Sequence, residues 1–421
     1  MYTYTISFIK GCSYSFLFGL VIWSFQACFN AWCYCINSSL VNWLFIRDYL
    51  SFVMILLTVI IIWLFIVIGL NSVSLYVSMF SAIMIYVINN SLIFWFFYEL
   101  SIICALYMLL KESLYPERYN ASWYMGGYIL LSSVPLLVCI LIIGLAEGSF
   151  NILVWGSNTS MNLSLIYIIM IIVFCTKIPL VPFHSWLPVV HAEASSSTSI
   201  ILSGYIMKLG LVGVVRLCSK WIWSSGISSV LEFIFLLSLG FLIWAYYEID
   251  SKRWLGVLSL SHIMVSVVLL VYGCYDVNLL AYIFCLGHGF SVCGMFTLIW
   301  WGYNYVNSRS WLILASFYSL VPVIQVLCVL MFISVSGFPP TLQFFSEVVL
   351  VWCSLVVSND ILTFIIWIYL FGSSLVGLLV LGLVLVYLFD NSSIISCNNN
   401  NSLSVGIIYV GILMLSIFVI I

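Results

Sequence analysis

Six ionisable side chains stand singly within apolar stretches of this sequence, and their types are those that can carry protons. They are, in chain order, Glu99, Lys177, Lys208, His262, His288 and Glu347. A buried acid must be protonated, paired or in contact with water, and such groups in apolar helices are usually functional. Imidazole can both accept and donate a proton near neutral pH. The series of acid, base, base, imidazole, imidazole and acid predicts a proton relay.

Such a relay can operate by electrostatic coupling alone. Neighbouring charges make the proton affinities of the six groups depend on one another. If the charge of Glu99 moved away from Lys177, the proton of Lys177 would be driven onward to Lys208. The set could hold one or two mobile protons and needs no redox group.

Most members of the series also have a structural interpretation. Glu99 could form an ion pair that only locks two helices together, and Lys177 could extend its ammonium toward a membrane surface. A histidine such as His262 or His288 is often a hydrogen-bonded core residue. Glu347 could be no more than a contact at the positive end of a helix dipole.

Long apolar segments separated by short polar ones must position these groups. Apolar runs predict helices at 12–32, 49–70, 72–89, 91–110, 122–145, 163–182, 195–218, 227–247, 254–273, 277–301, 311–335, 339–359, 361–389 and 404–421. Most contain roughly the 20 residues that a membrane span requires. The sequence therefore predicts an all-α polytopic membrane protein with about 13 or 14 transmembrane helices.

Two of the predicted segments contain paired prolines where a span would otherwise continue. The first is KIPLVP at 177–182, and the second is GFPP at 337–340. Proline removes an amide donor and frees carbonyl oxygens. In hydrocarbon such backbone persists only beside protein or a water-filled cavity, so broken helices in two halves of a chain indicate an ion pathway. A packing kink without function is the alternative for each.

The composition excludes several classes of protein. Of 421 residues, 65% are hydrophobic and only 6% are charged, and the net charge is −2. This composition is typical of a membrane protein and lacks the basic stripe that binding to nucleic acid requires. The 14 cysteines are scattered singly, so we predict no disulfide framework, no metal site and no cofactor. The start of the chain lacks the features of a transit peptide or a cleaved signal, which favours a bacterial membrane protein or one synthesised inside an organelle.

The distribution of basic residues predicts an orientation. If the second break lies within one discontinuous span, the loops alternate between the two sides of the membrane. One side then carries most of the basic residues, namely Lys10, Lys111, Arg118, Lys252, Arg253 and Arg309, and the other carries Arg47 and Lys220. The positive-inside rule assigns the first side to the cytoplasm or the mitochondrial matrix.

Several stretches of this sequence match a known family. One is VFCTKIPLVPFHSWLPVVHAEASSSTSIILSGYIMKLG, which spans the first break. The others are FFYELS with PERYNASWYMGGY, EIDSKRWLGVLSLSHIM, and LGHGFSVCGMF with GFPPTLQFFSE. Together they resemble the antiporter-like proton-translocating subunits of respiratory complex I, and the PERYNA element and the histidine segments are most similar to the fourth-subunit branch.

The resemblance carries expectations about fold and site. It covers about residues 48–389, preceded by an N-terminal helix region at 1–47 and followed by a C-terminal loop and helix at 390–421. It implies two inverted five-helix bundles, each with a discontinuous helix. It also implies that Glu99 and Lys177 form the first pair, that Lys208 is the central relay, and that His262 and His288 lead to Glu347.

The resemblance also implies a setting. Family members lie among other membrane-arm subunits, including neighbouring antiporter-like subunits, and in contact with lipids. The chain would then be a non-redox subunit of an enzyme that oxidises NADH and reduces ubiquinone. Its location would be the mitochondrial inner membrane, with a bacterial inner membrane as the alternative.

The sequence departs from the family pattern at two places. Val189 stands where the family usually has an acid after WLP, which puts in doubt any pairing of His191 that depends on that acid. The first 47 residues leave room for one span or two short ones, where the family usually has two full spans.

Three other functions fit parts of the pattern. A subunit of a multi-chain cation/proton antiporter resembles the same family. A haem protein could use paired histidines, although we expect His262 and His288 to lie near opposite faces of adjacent helices. A structural spacer would not require six buried charged groups, each of which is energetically costly in a membrane.

Overall fold

The computed structural model describes residues 40–41, 44–69, 72–113, 116–155, 161–218, 221, 225–272, 278–318 and 322–390. These residues are almost entirely helical. Two short antiparallel strands, β1 (Leu40–Val41) and β2 (Ile46–Arg47), precede the first described helix. The helices are α1 (Tyr49–Ile68), α2 (Val73–Val87), α3 (Ser91–Glu112), α4 (Arg118–Ala146), α5 (Met161–Lys177), α6 (Trp186–Glu193), α7 (Ser196–Ile201), α8 (Met207–Cys218), α9 (Ser225–Tyr247), α10 (Ser251–Tyr272), α11 (Asn278–Val306), α12 (Trp311–Tyr318), α13 (Pro322–Val335), α14 (Leu342–Val356) and α15 (Asp360–Asp390).

The described helices have the lengths and composition of membrane spans. Eight are long and apolar enough to cross a membrane, counting α7, a π-helical turn at Leu202–Ile206 and α8 as one continuous helix. Four shorter apolar helices, α2, α5, α13 and α14, accompany them in the same residues. The predicted all-α multi-pass architecture is therefore confirmed. The predicted helices at 12–32 and 404–421 lie outside the described residues.

Burial separates central helices from peripheral ones. The apolar windows of α10 and α11 are 100% and 89% buried, whereas those of α9 and α15 are only 33% and 39% buried. Large apolar side chains on the peripheral helices face outward, as expected where lipid or another apolar surface surrounds the protein. His262 and His288 lie on these two central helices, and Lys208 lies on α8, in a span whose apolar window is 83% buried.

The segment predicted as one helix at 311–335 is instead two helices, α12 and α13. The ring centroids of Trp311 and Phe332 are 5.3 Å apart. In one straight helix a separation of 21 residues would place their Cα atoms about 31 Å apart. Since α13 begins at Pro322, the discontinuous span consists of α13, the break at 336–341 and α14.

The first break begins where the paired prolines predict it, and the helix that precedes it is shorter than predicted. The helix expected at 163–182 ends at Lys177, because Pro179 has no amide hydrogen to continue the ladder. The indole N–H of Trp186 then donates to the carbonyl oxygen of Thr176 at 3.2 Å. This bond satisfies a carbonyl that the end of the helix leaves without a partner.

One end of the helix bundle, here called the charged end, is held by ion pairs and backbone contacts. Nε of Arg309 lies 3.3 Å from Asp250 Oδ2, and its Nη1 lies 4.0 Å from Glu193 Oε1. Nζ of Lys252 donates to the carbonyl oxygen of Ala194 at 2.9 Å. These contacts connect the loop after α6 with the loops around α10 and α12.

The opposite end contains a separate ion pair. Arg216, near the end of α8, donates to both carboxylate oxygens of Asp48 at 2.7 and 2.8 Å and to the carbonyl oxygen of Tyr86 at 3.0 Å. At the charged end, Ser197 donates to Glu112 at 2.8 Å. Among the basic residues that were grouped, Lys252 and Arg309 make contacts at the charged end and Lys111 directly precedes Glu112 there, whereas Arg47 directly precedes Asp48 at the opposite end. The orientation in the membrane stays a prediction.

Candidate functional site

Glu99 and Lys177 form a buried ion pair between α3 and the end of α5. Lys177 Nζ donates to Glu99 Oε1 at 3.2 Å, and the two residues are only 8% and 7% exposed. The ammonium also lies 4.9 Å from the centroid of the Tyr98 ring, which is within the range of a cation–π contact. The predicted first pair is thus in contact, at the point where the first discontinuous helix breaks.

Lys208 lies fully buried directly after the π-helical turn. Its Nζ donates to the carbonyl oxygen of Ser203 in that turn. A π-turn is wider than an α-turn and is often found at functional sites. Gly210 lets this helix approach the first break, because a Cβ atom there would lie 2.5 Å from Ile178 Cγ1.

The two central histidines face each other. The ring centroids of His262 on α10 and His288 on α11 are 5.6 Å apart, and both side chains are buried. The expectation that they lie near opposite faces of adjacent helices is therefore wrong. Lys208 and His262 both interact electrostatically with His288.

The packing around the two imidazoles is tight. The ring of Phe284 stacks on His288 with a centroid distance of 6.2 Å, within the range of about 4.5–7 Å that is typical of aromatic pairs. Neither ring nitrogen of His288 has a hydrogen-bond partner within the described residues. In the same residues, no group of three or more His, Cys, Asp or Glu side chains could hold a metal ion.

Tyr369 on α15 connects His262 to the last acid. Its hydroxyl group is hydrogen-bonded to His262 Nδ1 and donates to Glu347 Oε1 at 3.4 Å. A tyrosine hydroxyl has one hydrogen. When the Tyr369 hydrogen points to Glu347, the Nδ1–H group of His262 donates to the tyrosine oxygen. Tyr369 was not identifiable from the sequence, since a single tyrosine in an aromatic-rich apolar helix carries no distinguishing signal.

Glu347 lies beside the second break. One carboxylate oxygen, Oε2, would be only 2.9 Å from a Cβ atom at Gly337, which has a φ of +71°. Glycine is the residue that adopts this conformation without strain. The break is completed by Thr341, whose hydroxyl caps the amide of Phe344 at the start of α14.

Five of the six predicted residues fall into two groups in the structure. Glu99 and Lys177 form the first, and His288, His262 and Glu347 form the second with Tyr369. Lys208 bonds to Ser203 and has no hydrogen bond to either group among the described residues. No hydrogen bond between described residues joins Lys177 to Lys208. A small cavity of about 20 Å³ lies on the Lys177 side of this gap, next to Ile206 of the π-turn.

His191, in the motif where the family pattern expects a nearby acid, is also buried. Its ring stacks on Phe296 with centroids 5.2 Å apart. Neither of its ring nitrogens has a hydrogen-bond partner among the described residues, which agrees with the absence of an acid at Val189.

Comparisons with known proteins place this arrangement in a family. A family model described as "NADH:quinone oxidoreductase/Mrp antiporter, TM" matches residues 88–375. NADH-ubiquinone oxidoreductase chain 4 of Aedes aegypti is 30% identical over 263 residues, which are 60% of this chain and 57% of that protein. The chain therefore spans less than two thirds of the length of that curated relative.

Solved structures show the same fold. A chain of respiratory complex I from Thermus thermophilus with bound NADH has a TM-score of 0.75 at 19% identity, covering 89% of this chain and 82% of that one. A chain of the Mrp complex from Dietzia sp. DQ12-45-1b has a TM-score of 0.74 at 14% identity, covering 94% and 78%. At these identities the likeness concerns the fold alone. Because the family model covers more than half of its residues, this chain belongs to the NADH:quinone oxidoreductase/Mrp antiporter transmembrane family.

Proposed function

We propose that this chain is a proton-translocating membrane-arm subunit of respiratory complex I. The oxidation of NADH and the reduction of ubiquinone would take place in other subunits, and this chain would contribute no cofactor. One observation carries the proposal: His288, His262, Tyr369 and Glu347 form an unbroken series of contacts across four helices. A buried path of this kind can pass a proton from imidazole to carboxylate.

The first pair would act as the switch of this path. When Glu99 and Lys177 are in contact, the carboxylate holds the lysine's positive charge. Separating them leaves the ammonium without its counter-charge in a low-dielectric setting, which favours release of its proton. The gap toward Lys208 would be bridged only in that state, so the pair would control when a proton reaches the second group.

Lys208 and the second group would then carry the proton onward. Lys208 would pass it to His288, and the facing ring of His262 would receive it. From His262 Nδ1 the proton would move to the tyrosine oxygen while the tyrosine hydrogen moves to Glu347. The steps after His288 use a facing ring or a hydrogen-bond partner that the fold already holds in place.

The relatives support complex I over a cation/proton antiporter. The curated match is named as a chain of NADH-ubiquinone oxidoreductase, whereas the likeness to the Mrp structure is one of fold. On the same basis we propose that the chain lies in the mitochondrial inner membrane, among neighbouring antiporter-like subunits and lipids. The positive-inside rule would direct the charged end toward the matrix.

The proposal is tested by replacing Lys208 in the assembled complex. Lys208→Ala, together with Lys208→Met to retain side-chain volume, is expected to lower ubiquinone reduction and proton pumping in parallel to below about a tenth of wild type. Assembly is checked on a native gel. The matched control is Lys111→Ala, which removes an exposed lysine at the charged end. Normal turnover and pumping in an assembled Lys208 variant would contradict the proposal.

The antiporter alternative is separated by its partners. Purification of the complex that contains this chain, followed by measurement of flavin and iron–sulfur content, distinguishes the two. Flavin and iron–sulfur clusters are expected, and their absence from an intact complex would favour the antiporter.

A further inference from the structure

A cavity of about 330 Å³ lies between α14 and α15, beside the second break. Its walls include the aromatic side chains Phe338, Phe344 and Trp367 and the small residue Ser374. The volume is within the range of about 300–1,000 Å³ that is usual for small-molecule sites. It is far larger than the cavity of about 20 Å³ beside Lys177.

One carboxyl group lines this cavity, that of Glu347. The residue is only 3% exposed, and its contacts are the Tyr369 hydroxyl on one oxygen and the backbone of Gly337 near the other. Glu99 is paired with Lys177 and Asp48 with Arg216, but among the described residues no basic side chain lies within 4 Å of Glu347. A buried carboxylate without a cation is costly, so a cation that entered this cavity would stabilise the ionised form of Glu347.

The cavity can be reached from the outside of the described helix bundle. Val348 and Trp367, which line it, are 49% and 60% exposed. Both belong to helices with the composition of membrane segments. A ligand would therefore enter sideways, at membrane depth, and would have to be soluble in lipid.

We propose that this cavity binds a lipophilic amine. The protonated nitrogen pairs with Glu347, and an aromatic or alkyl group packs against Phe344 and Trp367. Carboxylate recognition of an ammonium gives a short charge-assisted hydrogen bond, and an aromatic wall adds a favourable contact with a cation. The apolar lining selects against hydrophilic amines, because their remaining polar groups would have no partners.

This site does not depend on the proposed function. If Glu347 is also the last acid of the relay, a bound amine would block that step. The experiment measures chemical labelling of the Glu347 carboxyl group, so its outcome does not depend on whether the Lys208 variants pump protons normally.

The test uses the assembled complex in membranes and labelling by dicyclohexylcarbodiimide. A protonated carboxyl adds to this reagent: its oxygen bonds to the central carbon, its proton goes to one nitrogen, and the acyl group then moves to nitrogen to give a stable N-acylurea. The labelled fraction of Glu347 is measured by mass spectrometry with and without N,N-dimethyl-4-phenylbutylamine. The neutral control is 4-phenylbutan-1-ol.

The amine is expected to reduce labelling of Glu347 by about tenfold, while the alcohol has little effect. Labelling of Glu99 is expected to be unchanged by the amine. Equal protection by the alcohol, no protection by the amine, or no labelling of Glu347 in the absence of amine would each overturn the proposal.

A pair of matched variants tests the geometry. Trp367→Ala removes part of the aromatic wall. It is expected to raise about tenfold the amine concentration that protects Glu347 from labelling. Trp352→Ala removes a tryptophan that is equally exposed, at 60%, but does not line the cavity. It is expected to leave the protective concentration unchanged, and equal behaviour of the two variants would overturn the proposed position.

Discussion

The hydroxyl group of Tyr369 donates a hydrogen bond to Glu347 across 3.4 Å, from α15 to α14. The same hydroxyl is bonded to His262 on α10, so three helices meet at one oxygen atom. No other described side chain connects His262 to Glu347 in this way. Removing that oxygen is therefore the most direct test of the second half of the path.

For Tyr369→Phe we expect proton pumping and ubiquinone reduction to fall together by about tenfold. The ring should stay in place, because it packs against Phe235 with centroids 5.7 Å apart. Tyr318→Phe is the matched control, since Tyr318 is fully buried and its hydroxyl has no hydrogen-bond partner within the described residues. Wild-type pumping by an assembled Tyr369→Phe complex would remove this residue from the path.

The ion pair of Glu99 and Lys177 can be divided into a structural and a functional contribution. Glu99→Gln alone leaves a buried ammonium without its partner, which is expected to destabilise the subunit by about 3–5 kcal/mol. The double variant Glu99→Gln with Lys177→Met removes both charges and should recover most of that stability. Stability is measured by thermal unfolding of the purified complex.

Pumping separates the two contributions. The double variant is expected to assemble and yet to remain inactive, because no switch is left. Restored stability together with restored pumping would show that the pair only locks two helices.

The glycine at the second break should not tolerate a side chain. Gly337→Ala places a Cβ atom 2.9 Å from Glu347 Oε2 and forces alanine to a φ of +71°. We expect a loss of about 1–2 kcal/mol in stability and lower pumping in the complex that assembles. In Gly382→Ala, the control, nothing lies within 4 Å of the new atom. A Gly337→Ala complex as active as this control would contradict the expectation.

The Asp48–Arg216 pair is expected to serve stability and not transport. Asp48→Ala removes both hydrogen bonds from Arg216 and the cap of α1, at a cost of about 1.5–3 kcal/mol for the charged hydrogen bonds. The unfolding temperature should fall, while turnover per assembled complex should stay at the wild-type value. A selective loss of pumping would instead give this pair a role in proton transfer.

Much of the fold could be predicted from apolar segment lengths, and the errors fall at prolines. Pro179 ends α5 sooner than expected, and Pro322 begins α13 where one long helix was predicted. In both cases the apolar run continues through the proline, so hydropathy alone cannot locate the boundary. A residue that precedes a proline disfavours the helical conformation, so the two prolines could have marked both helix boundaries.

The candidate site was predicted less completely. Charged residues in apolar helices stand out, so all six members of the series could be named from the sequence. Tyr369 could not, because 26 tyrosines occur in this chain and only the fold shows which one reaches both His262 and Glu347. The facing arrangement of His262 and His288 likewise depends on how α10 and α11 are rotated, which the spacing of apolar residues does not determine.

The π-turn at Leu202–Ile206 has a consequence for insertions and deletions in this chain. It accommodates one residue more than an α-turn, so everything after it is rotated by about 100° relative to an uninterrupted helix. Before the turn, Ser197 is fixed to Glu112, and after it Arg216 is fixed to Asp48 at the other end. Deleting one residue within the turn would keep both anchor residues in the sequence. It would rotate them relative to each other about the helix axis, so that both could no longer reach their partners. The helix would then have to lose one anchor, and Lys208 would be rotated by about 100° relative to Ser197.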